Sequence, residues 1–217
     1  MAATAINKLT NRPLTFISYN MHGFNQGIST VKDLIDTISP DVFMLQEHWL
    51  TPSNLLKFNE ILPQYCGFGI SALTHKVESG PLVGRPSGGV TILIKNELLS
   101  AAECIHTAER FVIVRVGNVI FVNVYLPCAG TVNRDLISND IFAEIGALKS
   151  RLNHYGCVVA GDFNSDLDSH KIASIDINRF LNENNLARCD LSSASAITYT
   201  FFNDYESLNH YSKLDYI

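Results

Sequence analysis

Polar side chains follow apolar runs at four places in this chain of 217 residues. At the clearest of them, a run that begins at Val158 ends in Gly-Asp-Phe-Asn and delivers the carboxylate of Asp162 and the carboxamide of Asn164. The other three runs end in Asn20, Glu47 and Tyr125. Each run fits a buried strand, and a strand end is a rigid support for groups that must hold a substrate in one position.

These groups, together with Asp215 in the last predicted strand, would line a pocket with carboxylates, carboxamides and a phenol if the strand ends converge. Mg²⁺ takes oxygen ligands and often only one or two carboxylates, and water and substrate phosphate complete its shell. Zinc is disfavoured because the sequence holds no clustered set of histidines and cysteines. The residue types therefore predict a Mg²⁺ site, at which Mn²⁺ could substitute.

Each of these residues also has a purely structural interpretation. Gly-Asp-x-Asn often forms an Asx turn after a strand. Asn20 could cap the loop before the first helix, and Glu47 could be a solvated strand end. Tyr125 could be a packing aromatic, and Asp215 could pair with a lysine or a hydroxyl. Two histidines beside the proposed site are more typical of loop residues than of ligands, namely His22 and His48. The joint pattern, not any single residue, favours the functional interpretation.

The composition, 47% hydrophobic and 17% charged, is that of an ordinary globular protein. No apolar run is long enough to span a bilayer, and the first residues lack the long apolar segment of a secretory signal, so we expect no membrane partner. The five cysteines are scattered, which favours free thiols in a reducing, intracellular compartment. The formal net charge of −5 argues against binding of nucleic acid by charge alone.

Hydrophobic periodicity predicts strands that alternate with helices. The predicted strands are Leu14–Asn20, Val42–Glu47, Tyr65–Ile70, Val90–Ile94, Phe111–Val116, Val119–Tyr125, the run that ends at Asp162, Thr198–Phe202 and Ser212–Ile217. The predicted helices begin at Ser29 and Pro52 and cover 135–153 and 174–185. Residues 74–89, rich in Gly, Pro and Ser, predict an exposed loop. Gly117-Asn118 predicts a hairpin, so the sheets should be mixed, with helices outside.

Seven short motifs carry a resemblance to a known superfamily. They are Ser18-Tyr-Asn20, Leu45-Gln-Glu47, Ser87-Gly-Gly-Val90, Asn123-Val-Tyr125-Leu-Pro127, Gly161-Asp-Phe-Asn164, Tyr199-Thr-Phe-Phe202 and Ser212-Lys-Leu-Asp-Tyr-Ile217. In order and spacing they resemble the exonuclease–endonuclease–phosphatase superfamily, from about Leu14 to the last residue. Within it, the last two motifs resemble the apurinic-type endonuclease domains of non-LTR (LINE-type) retrotransposons.

The resemblance implies an α/β fold, a four-layer α/β sandwich in which two packed mixed β-sheets are flanked by helices, as in DNase-like proteins. The implied reaction is Mg²⁺-dependent nicking of DNA that leaves a 3′-hydroxyl, which primes reverse transcription in the mobile elements. The implied partners are DNA and a reverse transcriptase within a longer polyprotein, with no stable oligomer. Synthesis in the cytoplasm and function in the nucleus follow from that role.

The resemblance also implies a role for individual residues. Glu47 would bind the metal with the help of Asn20, and Asp162 would orient or deprotonate the attacking water. Asn164 would hold the scissile phosphate, and Tyr125 would donate to a phosphate oxygen or stabilise the leaving side. Three further residues complete the implied set: Thr200 and Ser212 on the phosphate backbone, and Asp215 orienting a catalytic histidine. Candidate DNA contacts lie in residues 74–88 and 192–197.

The sequence departs from the superfamily pattern near its end. Members carry Ser-Asp-His beyond the Asp-Tyr-Ile strand, whereas this sequence stops at Ile217, and His210 precedes that strand. We therefore expect a domain at 13–217 that lacks its last part, and weak or absent nuclease activity of this fragment. Residues 1–12, which are polar and show no periodic pattern, are expected to form a flexible leader. Two alternatives stay open: a phosphatase or phosphodiesterase of the same fold that acts on lipid or nucleotide phosphate esters, and a non-catalytic scaffold domain.

Overall fold

The computed structural model describes residues 12–82, 84 and 86–189, together with the backbone of 201–203, 210–212 and 215–216. The strands are β1 Phe16–Asn20, β2 Val42–Gln46, β3 Tyr65–Ile70, β4 Val90–Lys95, β5 Ala102–Ala108, β6 Phe111–Val116, β7 Val119–Tyr125, β8 Gly156–Asp162, β9 Phe201–Asn203, β10 His210–Ser212 and β11 Asp215–Tyr216. The helices are α1 Phe24–Ile38, α2 Lys57–Ile61, α3 Thr74–Ser79, α4 Arg134–Arg151 and α5 Ile172–Glu183. Among the residues described, none of these helices combines the length and apolarity that crossing a membrane requires.

The chain divides into two compact units. The first comprises Met1–Tyr125 and Tyr155–Gly161, and the second comprises Leu126–His154 and Asp162–Ile217. The first unit contains two four-stranded sheets. In the second unit, α4 and α5 pack together through the stacked rings of Phe142 and Phe180, whose centroids lie 4.7 Å apart.

The first sheet has the strand order β1-β2-β4-β3. β1 runs parallel to β2, with Asn20 opposite Gln46, while β4 is antiparallel to both of its neighbours. A parallel pair needs a crossover connection, which α1 supplies. Because β1 and β2 run in the same direction, the residues that follow them emerge at the same edge of the sheet.

The second sheet of the first unit has the order β8-β7-β6-β5. β6 and β7 form the predicted hairpin around Gly117-Asn118, where Gly117 has a φ of +57°. β8 starts beside the start of β7, where the Gly156 N–H donates to the Asn118 carbonyl, and both strands end together, so they run parallel. The prediction of mixed sheets is therefore confirmed.

β5 was not predicted, because its residues show no apolar alternation. It is an edge strand, antiparallel to β6, with an irregularity between Cys104 and His106, and most of its side chains are at least partly exposed. A strand whose side chains are mostly in contact with solvent needs few apolar residues, so its sequence resembles that of a loop.

The core of the first unit lies between the two sheets. Apolar side chains from both sheets form one buried cluster that includes Met44, Ile92, Val114 and Phe121. The other face of β2 packs beneath α1 in a second cluster that includes Phe43 and Val31. β2 is thus buried on both faces, which explains its unbroken apolar sequence.

Helix α1 begins at Phe24, five residues before the predicted cap at Ser29, so that prediction is wrong. The reason is the packing of the first helical turn. Phe24 is buried, and Gly27 lies so close to Met21 that a Cβ at Gly27 would be 2.7 Å from the Met21 carbonyl oxygen. Gly27 is therefore a close-contact position inside the helix and does not precede it.

The prediction of a loop at 74–89 is wrong for residues 74–79, which form the short helix α3 and end at Gly80, with a φ of +148°. The helix is mostly exposed and has no apolar stripe that could signal it. The predicted helices at 135–153 and 174–185 are confirmed as α4 and α5, each within a few residues. The last two predicted strands, 198–202 and 212–217, overlap the described strands Phe201–Asn203, His210–Ser212 and Asp215–Tyr216.

Candidate functional site

The segments after β1 and β2 are joined by backbone hydrogen bonds. The Gly23 N–H donates to the Glu47 carbonyl at 2.7 Å, and the Phe24 N–H donates to the His48 carbonyl at 2.9 Å. These bonds continue the pairing of the two parallel strands beyond their regular parts. Asn20 and Glu47 are therefore brought together, as the shared sheet edge requires.

The carboxylate of Glu47 accepts one hydrogen bond on each oxygen. The Asn20 amide donates to Oε1 at 2.9 Å, and the Trp49 indole N–H donates to Oε2 at 3.1 Å. The Asn20 amide is itself fixed, because its Oδ1 accepts from the His22 N–H at 2.9 Å. A carboxylate has about four lone-pair sites, so two donors leave sites on both oxygens with which a cation can bond.

Three residues without glycine's freedom have left-handed backbone conformations here: His22, Glu47 and Trp49, with φ of +48°, +53° and +55°. Such conformations cost on the order of 1 kcal/mol or more each and occur preferentially at functional sites. They turn the chain sharply after each strand, which allows the side chains of Glu47 and Trp49 to meet.

The side chain of His48 links this segment to the end of β3. Its ring is buried, Nδ1 accepts from the Leu50 N–H at 3.0 Å, and Nε2 lies 3.1 Å from the Ile70 carbonyl oxygen, to which it donates. Burial lowers the pKa of His48 to about 4, so the ring is neutral. Gly89, at φ +90°, lies against the ring, and a Cβ there would be 2.4 Å from the His48 Cε1. With both nitrogens hydrogen-bonded inside the protein, His48 has a structural role.

A buried polar pair lies next to Glu47. The Gln46 amide donates to Asn123 Oδ1, and the Asn123 amide donates to the carbonyls of Leu45 at 2.9 Å and Thr91 at 3.0 Å. These bonds connect the first sheet to β7 of the second. Motif residues on both sheets are thus fixed relative to one another, because Glu47 follows Gln46 and Tyr125 lies two residues after Asn123.

Tyr125 is the last residue of β7. Its N–H donates to the Arg110 carbonyl at 2.8 Å, and the Arg110 guanidinium carbon lies 5.6 Å from the centre of its ring. The half-buried ring of Tyr125 therefore makes a cation–π contact with Arg110. Such a contact stabilises the packing of the two side chains.

In the second unit, Asp162 and Asn164 form the Asx turn that their spacing allows. The Asn164 N–H donates to Asp162 Oδ1 at 2.8 Å, and Asn164 has a φ of +49°. The Asn164 side-chain amide donates one N–H to the Leu126 carbonyl at 2.8 Å, and the Leu126 N–H donates to the Asp162 carbonyl at 2.9 Å. An amide nitrogen carries two N–H groups, so Asn164 retains a second donor for a substrate oxygen.

Arg134, at the start of α4, was missed by the sequence interpretation. Its guanidinium donates to the Asn164 carbonyl, to the Ser165 hydroxyl at 2.6 Å and to the Pro127 carbonyl at 2.9 Å. It therefore ties the Asn164 turn to the segment after Leu126. An arginine near a helix start belongs to no motif, and its role depends on segments about 30 residues apart in sequence.

Residues 17–217 match the sequence family described as the Endonuclease/Exonuclease/phosphatase family. The chain belongs to this family. Among curated proteins, none matches the sequence.

Solved structures share the fold of this family member. The AP endonuclease LMAP from Leishmania major gives a TM-score of 0.69 at 15% identity, over 99% of this chain and 88% of the other. The 3′ phosphatase NExo from Neisseria, bound to a product DNA hairpin, gives 0.67 at 14% identity over 94% and 85%. The endonuclease domain of TRAS1, a telomere-specific non-LTR retrotransposon, gives 0.67 at 12% identity over 94% and 84%. The predicted fold class is confirmed.

The predicted site residues of this family member differ in how far the structure describes them. Asn20 contacts Glu47, Asp162 contacts Asn164, and Tyr125 ends β7. Ser212 and Asp215 are described as backbone residues of β10 and β11, whereas Thr200 and the loop at 192–197 lie outside the described residues. Their roles stay predictions.

The residues present fit a hard divalent cation. Within the described parts of the chain, no group of three or more His, Cys, Asp or Glu side chains lies together. Mg²⁺ needs only one or two carboxylates and keeps several waters. The half-buried carboxylate of Glu47, held by two neutral donors, is a group of this type.

Proposed function

We propose that this chain is a Mg²⁺-dependent endonuclease that nicks DNA and leaves a 3′-hydroxyl. Membership of the Endonuclease/Exonuclease/phosphatase family, and a fold shared with nucleases, support a hydrolase that acts on phosphodiester bonds. The observation that carries the proposal is the Glu47 carboxylate, which Asn20 and Trp49 fix at the end of β2.

In this proposal Glu47 binds the cation, and Asn20 holds the carboxylate in position. The bound cation supplies charge neutralisation at the phosphate and leaving oxygens. Mn²⁺ is an expected substitute, because it shares the preference of Mg²⁺ for oxygen ligands.

The other predicted residues act on water and phosphate. Asp162 orients or deprotonates the attacking water, and Asn164 donates its remaining amide N–H to the scissile phosphate. Tyr125 donates its phenol to a phosphate oxygen. Preorganised donors of this kind are typically worth about 2.7–4 kcal/mol each in the transition state. We assign Thr200 and Ser212 to the phosphate backbone and Asp215 to the orientation of a histidine.

The biological role we propose is target-primed reverse transcription in a non-LTR retrotransposon, with DNA as substrate, a reverse transcriptase in the same polyprotein and the nucleus as the place of action. The similarity of fold to the TRAS1 endonuclease domain and the motifs at 199–202 and 212–217 support it. The 3′-hydroxyl is essential to this role, because a polymerase extends only from it.

The test is nicking of supercoiled plasmid in Mg²⁺, followed by extension of the nick by a DNA polymerase without phosphatase treatment. We expect the unaltered chain to nick only weakly, as the departure of its sequence from the superfamily pattern implies, and the Glu47→Gln variant not to nick at all. Tyr65→Phe is the matched control: it removes a buried hydroxyl, which donates to the Pro40 carbonyl at 2.6 Å, at the opposite end of the first sheet. Nicking that survives Glu47→Gln would contradict the proposal.

Two other outcomes would replace it. Release of phosphate from a phosphoinositide, a nucleotide or a 3′-phosphorylated duplex, without nicking of plasmid or of an abasic duplex, would indicate a phosphatase of the same family. Absence of both activity and Mg²⁺ binding would indicate a non-catalytic scaffold.

A further inference from the structure

Trp49 contacts the same carboxylate that the proposed function assigns to the cation, and no motif singled it out. Its indole N–H donates to Glu47 Oε2 at 3.1 Å, on the oxygen that Asn20 does not contact. Asn20 and Trp49 thus hold one oxygen each. With both oxygens bound, the rotation of the carboxylate about its last side-chain bond is restricted.

The indole is held in place from two sides. The His22 ring packs edge-to-face against it, with centroids 4.9 Å apart and an interplanar angle of 62°. Gly23 lies directly beneath it, and a Cβ at Gly23 would be 2.6 Å from Trp49 Cε3. The backbone of Trp49 has a left-handed conformation, with a φ of +55°, and this conformation sets the direction in which its side chain leaves the chain. A donor this restricted loses little entropy when it holds the carboxylate.

The chemistry of the donor matters as much as its position. An indole N–H is neutral and is a donor only, so it orients a carboxylate without neutralising it. A lysine or arginine in the same place would compete with a cation for the negative charge of Glu47. Partners that orient a metal ligand in this way typically contribute about 10- to 100-fold to metal affinity.

We propose that Trp49 is a positioning residue of the metal site: its indole N–H holds Glu47 in the orientation that binds the divalent cation. This inference rests on the proposed function, because it takes Glu47 as the metal ligand. Trp49 acts through Glu47 and contacts neither cation nor substrate in this scheme.

The first test is calorimetric titration of Mg²⁺ into the unaltered chain and into three variants. Trp49→Phe keeps a ring over Gly23 but removes the N–H, and we expect its affinity to fall roughly tenfold. Glu47→Gln should abolish binding. Tyr65→Phe, which removes a hydrogen bond remote from Glu47, should lower stability and leave the affinity unchanged. Far-UV circular dichroism establishes that each variant is folded.

The second test needs no variant of Trp49. Trp49 is the single tryptophan of the chain, so all tryptophan emission reports on the indole that contacts Glu47. We expect Mg²⁺ to change the intensity or wavelength of this emission with the midpoint found by calorimetry, and we expect the change to be absent in Glu47→Gln.

The outcomes separate the two proposals. If the unaltered chain binds Mg²⁺ through Glu47 and Trp49→Phe binds it equally well, the inference is wrong and the proposed function stands. If Trp49→Phe does not fold, the emission decides, and an emission that ignores Mg²⁺ while calorimetry detects binding overturns the inference. If the unaltered chain does not bind Mg²⁺, both fail together.

Discussion

The side chains of Gln46 and Asn123 are fully buried and hydrogen-bonded to one another between the two sheets of the first unit. Asn123 also donates to two main-chain carbonyls of the opposite sheet, at Leu45 and Thr91. Hydrogen bonds are directional, whereas apolar packing is not. The bonds from Asn123 to the opposite sheet therefore favour one relative position of the two sheets.

We expect Asn123→Ala to lower the free energy of unfolding by roughly 3 kcal/mol. The substitution removes the acceptor of one Gln46 N–H and the donor to the two carbonyls. Chemical denaturation monitored by circular dichroism measures the change. Asn153→Ala, at an exposed position of the turn before β8, is the control and should change stability by less than about 0.5 kcal/mol. A variant at Asn123 as stable as the control would show that the carbonyls find other partners.

Gly89 is expected to be intolerant of a side chain. Gly89→Ala would strain a residue at φ +90° and would push a methyl group into the ring of His48. Gly130→Ala is the matched control, because Gly130 has a φ of +85° and a Cβ added there would meet nothing within 4 Å. Both variants should lose about 1 kcal/mol to backbone strain, and Gly89→Ala should lose about 1–3 kcal/mol more to overpacking. Equal melting temperatures of the two variants would contradict the contact with His48.

The stability of the first unit should depend on pH through Asp41. Burial alone raises the pKa of Asp41, but hydrogen bonds from Arg12, at 2.7 Å, and from Thr15 outweigh it and leave the pKa lowered. The unfolded chain therefore takes up the proton first as pH falls. The stabilisation is complete above the ordinary aspartate pKa of about 4 and is lost as pH falls through the lower folded value.

Melting temperatures between neutral and acidic pH test this expectation. Asp41→Asn should be less stable at neutral pH, and its melting temperature should fall less steeply on acidification than that of the unaltered chain. Asp36→Asn removes one negative charge from an exposed position of α1 and controls for the change in net charge. Parallel curves for Asp41→Asn and the unaltered chain would contradict the ion pair.

The sequence predicted the parts of the site that buried strands determine. β2 is covered on both faces, so its apolar run ends abruptly where Glu47 emerges, and the parallel pairing of β1 places Asn20 beside it. The Asx turn of Asp162 and Asn164 is a local structure, so the structural interpretation of that motif predicted it.

The parts that the sequence could not predict depend on contacts between distant segments or on unusual backbone conformations. The bond from Trp49 to Glu47 requires two residues at positive φ, and no local pattern signals them. The start of α1 depends on Gly27 packing against Met21, whereas glycine in a sequence more often indicates a break.

Arg134 provides the last prediction, on activity. It holds the Asn164 turn through the Asn164 carbonyl and the Ser165 hydroxyl, so its loss should misplace the amide that we propose holds the phosphate. We expect Arg134→Lys to lower plasmid nicking by as much as about 100-fold, because misplacement of a catalytic group by about 1 Å has an effect of this size. Mg²⁺ affinity should be unchanged, because Glu47 is held by Asn20 and Trp49 instead.

Arg151→Lys, at the exposed end of the same helix, is the control and should nick at the normal rate. Steady-state kinetics of nicking, with Mg²⁺ titrated by calorimetry for each variant, separate the two effects. A loss of Mg²⁺ affinity in Arg134→Lys would show that the turn affects the metal ligand as well as the phosphate. Nicking at the rate of the Arg151 control would instead mean that the Asx turn alone, through the Asn164 N–H to Asp162, is enough to place the amide.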